Sequence, residues 1–407
     1  MKNLVWFRND LRLHDNPALS QACAKADQVV GIYIVTFKQW EEHNDSPNKI
    51  AFWFRSLIEL QKDLHKLNIP LCILKCDTYD DCPQKILKFT SANEINNLYF
   101  NIEYPVNELK RDEQVQAVLE KMGTSCFSFH DQVIHVPGSL KTKAGTNFSV
   151  YSPFKRCWLA ELDYALLEEH AIPTIKQPVS VNQQDEYDLH SYKQSNINQD
   201  LWPVGEESIQ KMIVNFLDRK GSDYKTDRNF PGLTATSMMS PYINSGVVSS
   251  KWCLNQARAR NYDALDEGDK GLVHWISEIL WREFYRHIIY NFPRVSMGKA
   301  FQEHFEQVPW ENNQDFIEAW KHGRTGIPIV DAGMRQMIET GWMHNRLRMI
   351  VAMFLSKNLM VDWHIGEAFF MQHLIDGDIA SNNGGWQWSA STGTDAAPYF
   401  RIMNPCL

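Results

Sequence analysis

The 407-residue sequence predicts two domains of different class: an α/β domain with a parallel, doubly wound sheet, followed by an all-α domain. Short apolar runs alternate with amphipathic segments over residues 1–131. Residues 132–205 show little periodicity and are typical of an inter-domain linker, whereas helical spacing dominates residues 206–407. A domain usually holds about 100–200 residues, so this length suits two domains that can each bury a core.

The α/β prediction depends on strands and helices that alternate along the first part of the chain. Strands separated by helices pair in parallel, and the helices cover both faces of the sheet. No GxGxxG follows the first strand, so a dinucleotide site of the Rossmann type is not indicated, and an α/β domain without a nucleotide remains an alternative. The predicted strands are Leu4–Arg8, Val29–Val35, Leu71–Leu74, Asn97–Asn101 and Cys126–Phe129. The predicted helices are Pro17–Ala26, Ile50–Leu67, Cys82–Ser91 and Asn107–Lys121.

Apolar residues at helical spacing predict that the second half is built from helices. Gly377, which follows the last predicted helix, is expected to take the left-handed conformation that stops a helix. The predicted helices are Glu206–Arg219, Val247–Ala259, Leu272–Asn291, Asp315–Gly323, Val330–Thr340, Trp342–Lys357 and Gly366–Leu374.

Composition excludes several classes of protein. The chain has 41 basic and 49 acidic residues, a net charge of −8, so any contact with DNA must come from a local basic rim. The 8 cysteines form no CxxC pair and have no histidine at ligand spacing, which argues against a metal site or a disulfide framework. The N-terminus carries no apolar leader and no run of 18 apolar residues occurs, so we expect a cytoplasmic protein without membrane spans.

The stretch from Gly341 to Met403 is crowded with indoles, amides and charges that packing alone does not require. Carboxylates, guanidinium groups, amide edges and indole faces together are typical of a site for a large, planar, polar-edged ligand. Gly384-Gly385 allows the backbone to approach such a ligand closely. The residues in question are Trp342, Arg346, Arg348, Trp363, Asp376, Asp378, Asn382, Asn383, Trp386 and Trp388.

Two upstream segments add candidate chemistry. The segment from Thr234 to Pro241 offers hydroxyls and free backbone N–H groups at a helix start, which suits a phosphate, although a simple N-cap is the alternative. Further on, Trp275, Glu278, Trp281 and Arg282 share one broad helix face. That face could hydrogen-bond and stack on a base; the alternative is a surface ion pair between Arg282 and Glu278, with Trp281 in the core.

Four motifs resemble the photolyase/cryptochrome family, and most closely the bacterial class I photolyases that act on cyclobutane pyrimidine dimers. They are VWFRNDLR from Val5, EILWREFYR from Glu278, GWMHNRLRMI from Gly341 and LIDGDIASNNGGWQWSASTGTDAAPYFRI from Leu374. The motifs are long and specific, and the resemblance covers essentially the whole chain.

The resemblance implies FAD in the helical domain. Asn382 matches the residue that faces the reactive flavin nitrogen. The other flavin contacts that it implies are Tyr224, Thr236, Ser237, Ser240, Trp275, Arg282, Arg348, Asp376 and Asp378.

The resemblance also implies a light-harvesting antenna in the α/β domain, either methenyltetrahydrofolate or a deazaflavin. The family's folate contacts match Asn107 and Glu108. The family's Cys-Lys pair is replaced here by Ser296-Met297, which argues against folate.

For the substrate, the resemblance implies UV-damaged DNA. The lesion pocket and the DNA-facing side would be formed by Glu278, Trp281, Asn345, Arg346, Met349 and Trp388. Glu278 and Asn382 would act in the reaction, and Trp386, Trp363 and Trp310 would carry electrons from the flavin to the surface, in that order.

Positions within these motifs distinguish branches of the family. The paired histidines that repair the 6-4 photoproduct would fall at Asn345 and Met349, and neither is histidine. Plant-type photoreceptors carry Asp, and animal ones Cys, at the position of Asn382. The residues present therefore favour repair of cyclobutane dimers.

We therefore expect a monomeric enzyme that repairs cyclobutane pyrimidine dimers by light-driven electron transfer from excited FADH⁻. Two alternatives remain. One is a blue-light photoreceptor without repair activity. The other is a catalytically impaired protein that binds flavin and DNA, because family members continue for several dozen residues beyond the point matching Asn404-Pro405-Cys406-Leu407.

Overall fold

The computed structural model describes residues 1–182 and 186–404. Part of the predicted linker, residues 183–185, and the last three residues named above, 405–407, lie outside the described residues. Within the described ranges, no helix is both long enough and apolar enough to cross a bilayer.

The first part of the chain forms a five-stranded sheet in which every neighbouring pair is parallel, in the order β3-β2-β1-β4-β5. The central strand β1 has Val5 opposite Gly31 of one neighbour and Tyr99 of the other. Each predicted strand is present, so the prediction of a parallel α/β sheet is confirmed. The strands are β1 (Lys2–Phe7), β2 (Gln28–Thr36), β3 (Leu71–Cys76), β4 (Asn97–Asn101) and β5 (Ser125–Phe129).

Helices connect the strands and make up most of the remainder, which confirms the predicted helical second half. The bounds are α1 (Pro17–Lys25), α2 (Phe37–Glu42), α3 (Pro47–Lys66), α4 (Cys82–Ala92), α5 (Val106–Lys121), α6 (Tyr151–Ala160), α7 (Glu206–Lys220), α8 (Tyr224–Asp227), α9 (Ser240–Asn244), α10 (Ser250–Arg260), α11 (Lys270–Asn291), α12 (Pro293–Ser296), α13 (Gln314–Lys321), α14 (Pro328–Thr340), α15 (Asn345–Met353), α16 (Trp363–His373) and α17 (Ile379–Ala390). Five helices were not predicted: α2, α8, α12, α17 and α6, the last of which lies in the predicted linker.

The predicted helix from Trp342 to Lys357 begins three residues too early, and its last turn is π-helical rather than α-helical. Helix α15 begins at Asn345, because the Nδ1 atom of His344 accepts a hydrogen bond from the backbone N–H of Arg346 at 3.1 Å and caps the helix. After Met353 the chain continues as one π-helical turn, Phe354–Asn358. His344 therefore stands before the first turn of α15 and does not share a helix face with Arg348.

The predicted left-handed Gly377 is also wrong. Helix α16 stops because Leu374 takes an extended conformation, with ψ 133°, and Gly377 is absent from the positive-φ glycines of the described residues. The backbone here is set by the next helix, since the side chain of Asp378 accepts a hydrogen bond from the N–H of Ser381 at 2.9 Å and caps α17. Asp378 itself has the extended backbone of an N-cap residue, with φ −137° and ψ 123°.

Part of the predicted linker packs into the core. Trp158 of α6 is fully buried, and its indole N–H donates to Oε1 of Glu283 at 2.8 Å. The carboxylate of Glu283 also accepts the backbone N–H groups of Ile134 and His135, both at 2.9 Å. Three donors satisfy a buried carboxylate that would otherwise be costly, so the linker is fastened directly to α11.

Candidate functional site

A cavity of about 530 Å³ lies among α9, α11, α15 and α17. Its size falls within the usual range of ligand pockets, about 300–1,000 Å³. Residues far apart in the sequence meet there, and the lining includes most of the predicted contacts. These are Ser240, Glu278, Trp281, Arg282, Asn345, Arg346, Arg348, Met349, Asp376, Asp378, Asn382, Trp386 and Trp388.

Asp376 is held rigidly in the cavity wall. Its carboxylate accepts hydrogen bonds from Nη2 of Arg348 at 3.0 and 2.8 Å and from Oγ of Ser240 at 2.5 Å. The Nε atom of Arg348 donates in turn to the carbonyl of Met343 at 2.8 Å. The pair is therefore fixed before any ligand arrives, which lowers the cost of ordering a site.

Asp378 is held ionised by neighbours from α11 and α17. Nη2 of Arg286 donates to its Oδ1 at 3.2 Å, in addition to the cap bond from Ser381. Burial alone would raise the pKa of Asp378, but Arg286 and the hydrogen bonds of Ser381 hold that pKa below its usual value. Asp378 therefore offers a charged acceptor to N–H groups inside the cavity.

The orientation of Asn382 follows from its amide donor. Nδ2 of Asn382 donates to the backbone carbonyl of Glu367 at 3.0 Å. Since that bond ties the NH₂ group to α16, the side chain presents its carbonyl oxygen to the cavity. Asn382 is thereby prepared to accept a hydrogen bond from a ligand N–H.

Arg282 gives the cavity an unbalanced positive charge. Its Nη1 and Nη2 atoms donate to the carbonyls of Gln132 and Ile243 at 2.7 and 3.4 Å, while its buried Nε has no hydrogen-bond partner among the described residues. Burial and the nearby Arg286 lower the pKa of Arg282 to about 9. Arg282 lines the cavity and its guanidinium bonds only to backbone carbonyls, so it offers a cation to an anionic ligand.

The cavity wall contributed by α11 carries Glu278 and Trp281. Glu278 forms an ion pair with Arg228 of the loop after α8, and Nε2 of His274 lies 3.6 Å from its carboxylate. The alternative of a pair between Glu278 and Arg282 is therefore wrong, because Arg282 bonds to backbone carbonyls instead. Trp281 is half-buried and borders the cavity.

Arg346 supplies a cation without a carboxylate partner. Its Nε and Nη2 atoms donate to Oδ1 of Asn229 at 3.0 and 2.7 Å, and no carboxylate of the described residues lies within ion-pair distance of it. Arg346 lines the cavity and forms a local basic rim there, whereas the charge of the buried Arg228 is paired with Glu278. Such a rim can attract phosphates despite the negative charge of the whole chain.

The hydroxyl segment upstream lies beside the cavity. Helix α9 begins at Ser240, and the part from Thr234 to Met239 is not helical, so the predicted helix start is confirmed only at Ser240. The indole N–H of Trp275 donates to Oγ of Ser237 at 3.1 Å. Four predicted contacts are absent from the described lining of the cavity: Tyr224, Thr236, Ser237 and Trp275.

The three predicted indoles occupy one apolar cluster. Trp386 borders the cavity, Trp363 is buried inside the cluster, and Trp310 is half-buried at its edge. The sequence analysis missed a fourth indole, the fully buried Trp320, whose ring centroid lies 5.9 Å from that of Trp386. Its spacing resembled that of an ordinary core residue, so no local signal distinguished it.

A second cavity, of about 400 Å³, lies at the carboxyl ends of β1 and β2. In open parallel sheets, ligands bind at this edge, where the strand order reverses. Asn107 and Glu108 line the cavity. Three lining residues each carry one buried atom without a hydrogen-bond partner among the described residues: Nε of Arg8, Oγ1 of Thr36 and Oε2 of Glu108. Burial raises the pKa of Glu108 above its usual value.

The two cavities share part of a wall. Gly377 and Asp378 line both of them. Ser296, which stands where the family has its Cys-Lys pair, also lines the second cavity. Ligands held in both cavities would therefore lie close to each other.

Comparison with known proteins identifies the family to which this chain belongs. Residues 3–177 match the family described as DNA photolyase, and residues 275–407 match the FAD binding domain of DNA photolyase. The chain belongs to the photolyase/cryptochrome family.

Particular relatives are similar over nearly the whole chain. A deoxyribodipyrimidine photo-lyase of Buchnera aphidicola subsp. Acyrthosiphon pisum is 41% identical over 99% of this chain and 83% of its own length. The solved structure of a bacterial class III photolyase from Agrobacterium tumefaciens is 31% identical, with a TM-score of 0.89 over 99% of this chain and 82% of that one. An archaeal photolyase from Sulfolobus tokodaii, whose structure holds two FAD molecules, is 29% identical, with a TM-score of 0.82 over 100% of this chain and 86% of that one. Assignment to class I within the family stays a prediction.

Proposed function

We propose that this chain is a deoxyribodipyrimidine photo-lyase, which splits cyclobutane pyrimidine dimers in DNA when light excites its flavin. The observation that carries this proposal is a single cavity bordered by Asn382, Asp376 and Arg348 and also by Glu278 and Trp281. The first three residues suit a flavin, and the last two suit a dimer of adjacent pyrimidines. One cavity that serves both would bring donor and acceptor together.

FAD in its reduced, anionic form would supply the electron on excitation. The chain would hold it through Asp376, Asp378 and Arg348, with the guanidinium of Arg282 near a negative position. Asn382, whose NH₂ group is tied to Glu367, would accept a hydrogen bond from the ring. Ser240 begins α9, donates to Asp376 and lines the cavity, so it would contact the cofactor beside Asp376. Tyr224, Thr236, Ser237 and Trp275 would contribute from the adjoining segment.

The dimer would leave the duplex and enter the cavity beside the basic rim. Extrusion costs a few kcal/mol, and least for a damaged pair, which favours the lesion over intact DNA. Trp281 would stack on the extruded bases and Glu278 would hydrogen-bond their edges. Asn345, Arg346, Met349 and Trp388 would complete the wall around them.

The indole cluster supports a route for electrons between the cavity and the surface. We propose the order Trp386, Trp363 and Trp310, which runs from the cavity to a half-buried position. This route would restore reduced flavin after oxidation and is separate from the repair step itself.

The second cavity would hold an antenna chromophore. Its orphaned polar atoms, its place at the switch point of the sheet and its common wall with the first cavity support this proposal. Asn107 and Glu108 would contact the chromophore, and Ser296 in place of the family's Cys-Lys pair favours a deazaflavin over folate.

The proposal also includes the oligomeric state, the cellular compartment and the domain boundaries. The protein would act as a monomer in the cytoplasm, with an antenna-type domain over residues 1–131, a linker over 132–205 and a catalytic domain over 206–407. The photoreceptor and impaired-protein alternatives gain no support from the relatives, which include a photo-lyase at 41% identity.

Purified protein tests the proposal directly. We expect flavin bands in its absorption spectrum, and the loss of cyclobutane dimers from an irradiated oligonucleotide under blue light but not in the dark. Flavin bands without light-dependent loss of dimers would contradict the proposed activity. A further band in the near-UV or blue would identify the antenna.

A further inference from the structure

Trp281 is backed by an aromatic ring from the segment predicted to be a linker. The rings of Tyr151 and Trp281 are stacked, with centroids 3.7 Å apart and an interplanar angle of 12°. Tyr151 is buried at the first position of α6 and does not line the cavity, whereas Trp281 does. Tyr151 therefore covers the side of the indole that faces away from the ligand.

Tyr151 is itself fixed by two other parts of the chain. Its hydroxyl donates to the backbone carbonyl of Ser277 on α11 at 2.9 Å, and its backbone N–H donates to Oδ2 of Asp395 at 3.2 Å. One turn further along α6, Nζ of Lys155 donates to Oγ of Ser277 at 2.6 Å. Helix α6 is thus pinned to the helix that carries Trp281, one turn before the indole.

The edges of the indole are also enclosed. Phe284 meets Trp281 edge-on at 5.7 Å and 83°, and Tyr285 is tilted against it at 5.8 Å and 35°. A ring held on one face and along its edges has little freedom left to lose when a base stacks on its other side. Pre-organisation of this kind improves affinity without any direct contact to the ligand.

We propose that Tyr151 is a positioning residue for lesion binding, which holds Trp281 in the orientation that stacks on the extruded dimer. The inference rests on the proposed function, because it assigns a partner to the residue that is proposed to receive the lesion. Tyr151 acts only through Trp281, so its effect must vanish when Trp281 is removed.

A double-mutant cycle tests this dependence. We expect Tyr151→Leu to weaken binding of an oligonucleotide with one cyclobutane thymine dimer by roughly threefold to tenfold, the usual worth of an aromatic pair. Tyr151→Phe keeps the stack but loses the bond to Ser277, and a loss of roughly twofold to threefold is expected. In the Trp281→Ala background, neither change should alter the affinity by as much as about twofold.

Two further measurements separate positioning from a general structural role. The KM for dimer-containing DNA should rise in Tyr151→Leu, while the repair rate at saturating DNA and the flavin absorbance stay as in the parent protein. Tyr164→Leu is the matched control, since Tyr164 lies in the same segment, is 58% exposed and does not line the cavity.

Equal losses of affinity with and without Trp281 would overturn the inference, as would loss of flavin from Tyr151→Phe. If Tyr151→Leu does not fold, the double-mutant cycle with Tyr151→Phe replaces it. Equal losses of affinity with and without Trp281 would then again overturn the inference. Failure of the parent protein to bind or repair dimers would instead count against the proposed function. If the parent repairs dimers and Trp281→Ala weakens binding, but the Tyr151 variants bind normally, only this inference fails.

Discussion

Individual side chains in the cavity among α9, α11, α15 and α17 are held by partners from remote parts of the chain. Asp376 is fixed by Arg348 and Ser240, and Asp378 by Arg286. The carboxylates and guanidinium groups are thereby set before a ligand binds. At this scale, a substitution should affect one step of the proposed reaction and leave the others intact.

Removing the indole of Trp281 should weaken lesion binding. Base-aromatic stacking is worth about 1–3 kcal/mol, so Trp281→Ala should raise the Kd for dimer-containing DNA by about 5- to 150-fold. Fluorescence anisotropy with a labelled oligonucleotide measures this change. Phe316→Ala, which removes an aromatic ring that is 45% exposed and lies away from the cavity, should leave the Kd unchanged. Unaltered affinity in Trp281→Ala would contradict the stacking role.

Trp386→Phe should separate photoreduction from repair. Phenylalanine keeps the ring packing but is much harder to oxidise than an indole, so photoreduction of oxidised flavin should slow markedly. Repair by enzyme that was chemically reduced beforehand should stay at the parent rate. Trp252→Phe, another buried indole away from this cluster, should leave both rates unchanged. Loss of repair in the pre-reduced Trp386→Phe protein would argue against the separate route.

At the scale of the elements, close approaches of helices shape the cavity. Helices α16 and α17 meet where Gly366 faces Trp386, and a Cβ at Gly366 would lie 2.1 Å from Cη2 of that indole. Helices α11 and α17 meet similarly, since a Cβ at Gly384 would lie 2.3 Å from the ring of Tyr285. The two glycines thus allow α17 to bring Asn382 and Trp386 to the cavity together.

Gly366→Ala should disturb both stability and photoreduction. The added methyl group would overlap the rigid indole of Trp386 and also approach Leu355 at 2.7 Å. Overpacking of this kind costs about 1–3 kcal/mol, so the free energy of unfolding in urea should fall by that amount and photoreduction should slow as the indole moves. Gly232→Ala is the control, because a Cβ there meets nothing within 4 Å. Parent-like behaviour of Gly366→Ala would show that α16 has room to shift.

Across the whole molecule, α11 connects the parts. It carries Glu278 and Trp281 on the cavity side, and through Glu283 and His287 it fastens the segment after the sheet. The main apolar core runs without interruption from residues of the sheet, such as Val5, to residues of α11, such as Ile276. We therefore expect stability and site geometry to be coupled.

Acid should destabilise the protein partly through His287. Burial lowers its folded pKa to about 4, whereas an unfolded histidine titrates near 6.5. Between these values the unfolded chain binds a proton that the folded one does not, so the stability present above pH 6.5 is lost as the pH falls through 4. The loss amounts to at most about 3 kcal/mol.

Urea unfolding of the parent and of His287→Asn at several pH values between 7 and 4 measures this contribution. The parent should lose stability more steeply than His287→Asn over that interval. His190→Asn, at an exposed position, should follow the parent curve. Identical slopes for the parent and His287→Asn would contradict a role for His287.

The sequence by itself determined the fold class and most of the cavity. Strands and helices follow from periods of two and 3.6 residues, which are local properties. The site residues around Asn382 and Arg348 were predicted from the resemblance of their motifs to the family, whereas α17, which carries Asn382, was not predicted as a helix.

Only the tertiary structure decided which groups meet. Arg228 pairs with Glu278, Arg286 with Asp378, and Tyr151 lies behind Trp281. These partners are separated by 50 to 130 residues, and no periodic pattern links positions so far apart. Gly377 likewise does not take the left-handed conformation that was predicted from the local sequence. Local forces choose the elements, whereas packing between distant segments chooses their partners.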